Sequence, residues 1–228
     1  MNRLLNDPRR FFDIVARMAS HPVRRSVKFG KVIEGQNFET VFDAALDFVA
    51  ECNSDLITLQ EFIQSNEKPD ISYRIKTEDS LYRKWDKNLG LSRPLKKVCD
   101  DIIGIRIISA LKSSELKELT LDGYEEYNIK YVNYYTSPKT VDDGYRGIHL
   151  YVRQGSFPIE IQIWSQQDAV LHFYSHEEIY KKLDSEAGRD YSLRLRRWME
   201  SVPDAPQEIQ QNFIEYMYQF VYSNLGGN

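Results

Sequence analysis

Little in this chain points to a disulfide framework, a zinc cluster or a membrane span. Its 228 residues hold two cysteines, Cys52 and Cys99. Two cysteines make neither a metal cluster nor the disulfide scaffold of a small secreted domain, so both are read as small core hydrophobes. No run approaches the ~18 uninterrupted apolar residues of a membrane helix. The start of the chain lacks the apolar stretch of a secretory leader, so a cytoplasmic protein without a membrane partner is expected. Glycine and proline are scarce, at 11 and 8 residues, and no tract is repeated or of low complexity. That excludes collagen-like, linker-rich and solenoid architectures. What is there is 42% hydrophobic and 13% aromatic. This suffices for a sizeable core, as one domain or as a core with a helical appendage.

The net charge of −4 hides an asymmetry. Residues 1–31 carry Arg3, Arg9, Arg10, Arg17, Arg24, Arg25, Lys28 and Lys31 against Asp7 and Asp13, eight cations to two carboxylates, which leaves +6 there and −10 elsewhere. A clustered positive face on an acidic protein can steer a polyanion such as nucleic acid, and Arg24, Arg25, Lys28 and Lys31 are its densest part. The same charges also suit a solvated face or an internal partner for the acidic remainder.

Residues 100–109 read Asp-Asp-Ile-Ile-Gly-Ile-Arg-Ile-Ile-Ser. The β-branched run suits a central strand buried on both faces. Two carboxylates open it, and Arg106 inside it must reach a strand end, a partner or a ligand, because a buried guanidinium is costly alone. The alternative is a core strand with a structural ion pair. Around it, the apolar spacing predicts helices over 8–19 and, as one long element, 39–64. Residues 71–76 alternate as a short strand, and Thr77 can cap a helix running to Lys84 or Trp85. A short helix over 113–119 and a tyrosine-rich strand over 128–136 follow. Residues 148–153 and 158–164 form a predicted hairpin around Gln154, Gly155 and Ser156. Helices are expected over 168–183, 191–199 and 206–225. Strands gathered between helices predict an α+β fold around a central mixed β-sheet of about five strands.

Three segments carry chemistry. In residues 73–84, Arg74 and Lys76 share one face if extended, while Ser80 and Lys84 share one face of the helix that follows. A strand end, a helix N-terminus and two ammonium groups can hold a polyphosphate. In residues 143–149, Asp-Gly-Tyr-Arg-Gly-Ile-His, glycines flank an aromatic and a cation, and an exposed Tyr145 there can stack a base. In Glu160-Ile161-Gln162-Ile163 the two-residue period puts a carboxylate and an amide on one face. Singly, each also reads as a basic helix, a tight turn or an amphipathic edge strand.

In this order the segments resemble the synthetase domain of the RelA/SpoT family, the pyrophosphokinases that make the alarmones ppGpp and pppGpp. The resemblance covers residues 70–182 and looks like a small member of nucleotidyltransferase-like fold, with a helical region over 1–69 and C-terminal helices over 183–228. It implies ATP as donor and Mg2+ as cofactor. Arg74 and Arg106 match the family's adenine clamp, and Lys76, Ser80 and Lys84 its hold on the ATP phosphates. Asp101 matches the magnesium-binding aspartate, and Glu160 the glutamate that aids the metal and activates the attacking hydroxyl. Tyr145 matches the aromatic that stacks on the acceptor base, with Arg146, His149 and Gln162 near it. His176, Tyr180 and Lys181 resemble a further histidine and tyrosine-lysine pair to which no catalytic role attaches. Pyrophosphate transfer needs cations and a hard metal with oxygen ligands rather than a covalent nucleophile, which agrees with these residue types.

Alarmone makers usually continue Glu-Ile-Gln-Ile with Arg-Thr; here Trp164 and Ser165 follow. With the segment 145–149, this looks more like the toxic small alarmone synthetases, some of which modify the 3′-CCA end of tRNA and are held by an antitoxin protein. The segment after Lys182 also lacks the acidic helical pattern of tetrameric alarmone makers. The expected acceptor is therefore tRNA, with a guanine nucleotide as the alternative. A nucleotide-binding module without catalysis has less need of both Asp101 and Glu160.

Overall fold

The computed structural model describes residue 1 and residues 3–23, 27–65, 70–175, 185–201 and 215. Arg24, Arg25, His176, Tyr180, Lys181 and the helix expected over 206–225 lie outside the described residues.

Helix α1, Pro8–Ser20, starts where Asp7 accepts the amide hydrogen of Arg10 and Pro8 supplies a helical φ at the first turn. Its apolar side, including Phe11, Phe12, Ile14 and Met18, is buried. The long helix expected over 39–64 is two: α2, Phe38–Glu51, and α3, Asn53–Gln64. The break falls at Cys52, ahead of Asn53, Ser54 and Asp55, whose short polar side chains favour helix starts over interiors. Buried Asp55 also accepts bonds from α1, from Arg17 at 3.0 Å and to His21 at 2.7 Å, which fixes where α3 begins.

The remaining elements are β1, Asp70–Ile75; α4, Glu78–Asn88; α5, Leu95–Val98; β2, Ile103–Ser109; α6, Ser113–Lys117; β3, Ile129–Asn133; β4, Ile148–Val152; β5, Ile159–Ser165; α7, Gln166–Tyr174; and α8, Ser185–Ser201. The fold is α+β, a mixed five-stranded sheet in the order β1-β2-β5-β4-β3 with flanking helices. The isoleucine-rich β2 is interior as expected, but the middle place belongs to β5. Both strands are buried except at one residue, Arg106 and Gln162. β4 and β5 are neighbours joined around Gly155, whose φ of 104° lies in the left-handed region that favours glycine.

Two compact units divide these elements. One comprises Met1–Ile107, Thr120–Val132 and His149–Gln162; the other comprises Ile108–Leu119, Asn133–Ile148 and Ile163–Asn228. The first has an aromatic core: Phe11 lies 5.7 Å from Phe62, Phe12 lies 5.2 Å from Tyr124, and Phe48 lies 5.4 Å from Phe157, between ring centroids. The second buries Ile108, Trp164 and Ala169 against Tyr145, Val170 and Phe173.

Candidate active site

In the first unit, the end of β1 is tied to the approach to β2 by the Lys76 amide, which donates to the Ile102 carbonyl at 2.9 Å. The chain then turns directly into α4. Thr77 caps that helix, its hydroxyl accepting the Ser80 amide, so Ser80 and Lys84 stand one turn apart on α4. Lys84 reaches back, donating to Asp100 at 2.6 Å and Asp101 at 3.0 Å. Lys76 donates to the other Asp101 oxygen at 2.7 Å, and the Arg74 guanidinium lies 3.7 Å from that same oxygen. Arg74, Lys76, Lys84 and Asp101 are thus one cluster. Ser80 lies on the same helix, exposed.

The two adjacent aspartates titrate in opposite directions. Burial pushes the Asp100 carboxyl up, and the single ammonium of Lys84 does not offset it. Burial acts on Asp101 too, but Lys84 and Lys76 together hold its carboxyl below the usual carboxylate range. For Lys84, burial favours the neutral amine, yet Asp101 and Asp100 outweigh it and raise the pKa. Asp101 is therefore an ionised carboxylate bracketed by cations.

Arg74 on β1 and Arg106 on the adjacent β2 line one cleft with Gly104, Glu160 and Gln162. Glu160, 6% exposed, is held on both oxygens: by His149 Nδ1 at 3.0 Å and by the Gln162 side-chain amide at 3.0 Å. The alternation of β5 does place Glu160 and Gln162 on one face. His149 and Gln162, expected on the acceptor side, both contact the glutamate.

Tyr145 and Arg146 belong to the second unit. Tyr145 is half-buried rather than the exposed tyrosine expected, because its ring stacks on His172 at 4.4 Å and Lys139 sits 4.4 Å from the ring centroid. The Trp164 indole donates to its hydroxyl at 2.9 Å. A β-carbon at position 147 would come within 2.8 Å of that indole, so only glycine fits beside Trp164. Arg146 forms a fork with Asp142, at 2.9 and 3.1 Å. Burial drops the His172 pKa to about 4, leaving a neutral ring whose Nε2 lies 2.7 Å from the Arg146 carbonyl. Ser165 caps α7, accepting the Asp168 amide at 3.1 Å.

Among the described residues no three His, Cys, Asp or Glu side chains converge as a metal cage. A magnesium ion needs less, since it rests on one or two carboxylates plus substrate phosphates and water. Asp101, and Glu160, whose charge is felt at Asp100, fit that hard, oxygen-donor requirement.

The family model for the region found in RelA / SpoT proteins matches residues 73–185. The chain carries a RelA/SpoT-type synthetase domain. It is a pyrophosphokinase of RelA/SpoT type. Among solved structures, small alarmone synthetase 1 from Bacillus subtilis bound to its product pppGpp is 20% identical, covering 72% of this chain and 94% of that one at a TM-score of 0.44. A GTP pyrophosphokinase family protein from Streptococcus pneumoniae is 19% identical over 80% and 97% at 0.44. The type VI effector Tas1, solved with its immunity protein, is 17% identical over 82% and 96% at 0.34. No curated protein matches the chain. Within the RelA/SpoT-type region, sequence reasoning assigned no site role to Asp100, noted as one of two carboxylates opening the strand, or to His172. The Asp-Asp doublet signalled the first; nothing local signals that His172 stacks on Tyr145.

Proposed function

We propose that the protein transfers the β,γ-pyrophosphate of ATP to the ribose 3′-hydroxyl at the CCA end of tRNA, acting as a translation-inhibiting toxin that a neutralising antitoxin protein holds in check. The planar guanidiniums of Arg74 and Arg106 clamp the adenine. Lys76, Ser80 and Lys84 receive the phosphates: the incoming oxyanions compete with Asp101 and Asp100 for the two ammonium groups, which releases Asp101. Asp101 and Glu160 would hold Mg2+, which would supply positive charge against the phosphates. Glu160, oriented by His149 and Gln162, accepts the proton of the attacking hydroxyl. Tyr145 and Arg146 meet the terminal base.

The observation that carries the tRNA acceptor is a ridge of exposed cations. The segment around Lys28–Ile33 is joined to the start of α5 by backbone bonds: Lys96 amide to Phe29 carbonyl at 3.0 Å, Leu95 to Lys31 at 2.9 Å, and Ile33 to Arg93 at 3.2 Å. This brings exposed Lys28 and Lys31 beside exposed Arg93, Lys96 and Lys97. Among the described residues none of the five forms an ion pair, whereas Arg9 and Arg17 are spent on Glu126 and Asp55. Glu34, close by in sequence, is turned to the Gly90 and Ser92 amides. Arg24 and Arg25, in the same basic stretch of sequence, lie outside the described residues. A polynucleotide needs such a surface and a mononucleotide does not. The second reading is a guanine-nucleotide acceptor, and the family match over 73–185 favours it.

The test is to replace Lys28, Lys31, Arg93, Lys96 and Lys97 with alanine and follow deacylated tRNA and GDP side by side. tRNA binding should weaken and its salt slope flatten by about 0.7 to 0.9 for each phosphate left without its cation, with GDP little affected. An unchanged tRNA slope overturns the tRNA reading.

A further inference from the structure

The second unit holds a charge pair that none of the roles above uses. Asp168 on α7 is fully buried and Arg196 on α8 is 4% exposed. One Asp168 oxygen takes the Arg196 guanidinium; the other takes three hydroxyls, from Tyr135 at 2.7 Å, Ser113 at 3.0 Å and Ser165. The carboxylate is therefore saturated, and Tyr135 and the two serines hold it from three separate segments. Arg196 has a second task. Its Nε donates to the Gly144 carbonyl at 2.9 Å, in the middle of the loop that carries Tyr145 and Arg146.

The loop and α8 fit closely at that point. Gly144 has a φ of 78°, and a β-carbon there would lie 3.0 Å from the Ser192 carbonyl and 3.2 Å from Arg196 Cβ. The rest of the loop is organised from within: Asp142 accepts the Gly144 amide and the Arg146 fork, and Asp143 accepts the Tyr145 amide. From outside, Arg196 clamps the loop at Gly144, while His172 meets the Arg146 carbonyl and the Trp164 indole meets the Tyr145 hydroxyl. Arg196 also lies beyond the family-matched residues 73–185.

We propose that Arg196 is a positioning residue for acceptor recognition: anchored on Asp168, it fixes the Gly144 carbonyl and so sets how Tyr145 and Arg146 are presented. The inference rests on the reading that Tyr145 and Arg146 meet the acceptor. A charge-assisted bond to one carbonyl is directional, and a lysine at 196 keeps the charge on Asp168 while losing the guanidinium fork that serves both partners at once. Loosening the loop should then cost acceptor affinity and leave the ATP cluster of the first unit untouched.

The test titrates wild type, Arg196→Lys, Gly144→Ala and Tyr145→Ala with ATP, deacylated tRNA and GDP, after a thermal melt of each. Arg196→Lys should melt cooperatively and weaken whichever acceptor the wild type binds by about tenfold, with ATP affinity within twofold. Gly144→Ala disturbs the same junction from the loop side and should give the same split should Arg196→Lys not fold. Equal losses of ATP and acceptor, or no change in acceptor affinity, overturn the inference. Failure of Tyr145→Ala itself to weaken the acceptor overturns the underlying reading instead.

Discussion

Asp168 and Asp101 are both buried carboxylates paired with cations, and their surroundings differ. Asp168 is sealed: its partner Arg196 is 4% exposed and its remaining oxygen is filled by three hydroxyls. Asp101 has Lys76, Lys84 and Arg74 around it, and their side chains run from 10% to 55% exposed. A saturated buried pair has no cheap alternative to its partners. A half-open cluster with surplus cations can trade them for phosphate oxygens, since water screens each exchange. The first arrangement fixes a shape; the second is suited to chemistry.

The comparison breaks if Asp101 and Glu160 prove dispensable. Asp101→Asn and Glu160→Gln, which keep shape and remove charge, should each lower pyrophosphate transfer by on the order of a hundredfold or more while the fold survives. Initial rates with labelled ATP measure this. For the sealed pair the loss should appear in stability. Arg196→Met strands a buried Asp168 charge and should cost about 3 to 5 kcal/mol in chemical denaturation. Lys84→Met should cost about 1 kcal/mol, because Asp101 keeps Lys76 and the site admits water.

A pH titration sharpens the same contrast. His172 has its pKa lowered to about 4 by burial. Between the ordinary value near 6.5 and 4 the unfolded chain binds a proton that the folded chain does not. Stability should therefore fall as pH drops through that window, by on the order of 3 kcal/mol in full. Asp168 and Arg196 act on His172 in opposite directions, with Lys139 a lesser influence. His172→Phe should remove most of the slope between pH 6.5 and 4, as read in denaturant midpoints. Asp101, whose pKa is lowered, adds stability that persists above the ordinary carboxylate range and is lost only at more acid pH. Tyr145→Ala should weaken the acceptor by about 1 to 3 kcal/mol and leave ATP binding alone, as equilibrium titration would show.

Much of the first unit's chemistry was legible because it is local. The isoleucine run announced β2, Thr77 announced the start of α4, and the two-residue period put Glu160 and Gln162 on one face. Other features depend on residues far apart in sequence. Asp55 reaching to α1 decided the break at Cys52, and no periodicity in 39–64 records that. The link from Arg196 to Gly144 spans 52 residues, and that from Arg196 to Asp168 spans 28. Gly147 read as a turn residue, but its role is to admit the Trp164 indole beside it. Composition has no way to express such a fit.

The most direct measurement of the central claim is one labelled transfer. The protein is incubated with γ-labelled ATP and, separately, deacylated tRNA, GDP and GTP, with Glu160→Gln as control. Label should appear at the 3′ end of tRNA with wild type and vanish with the variant. Label on GDP or GTP alone would contradict the tRNA acceptor, and no transfer to any of the three would contradict the pyrophosphokinase itself.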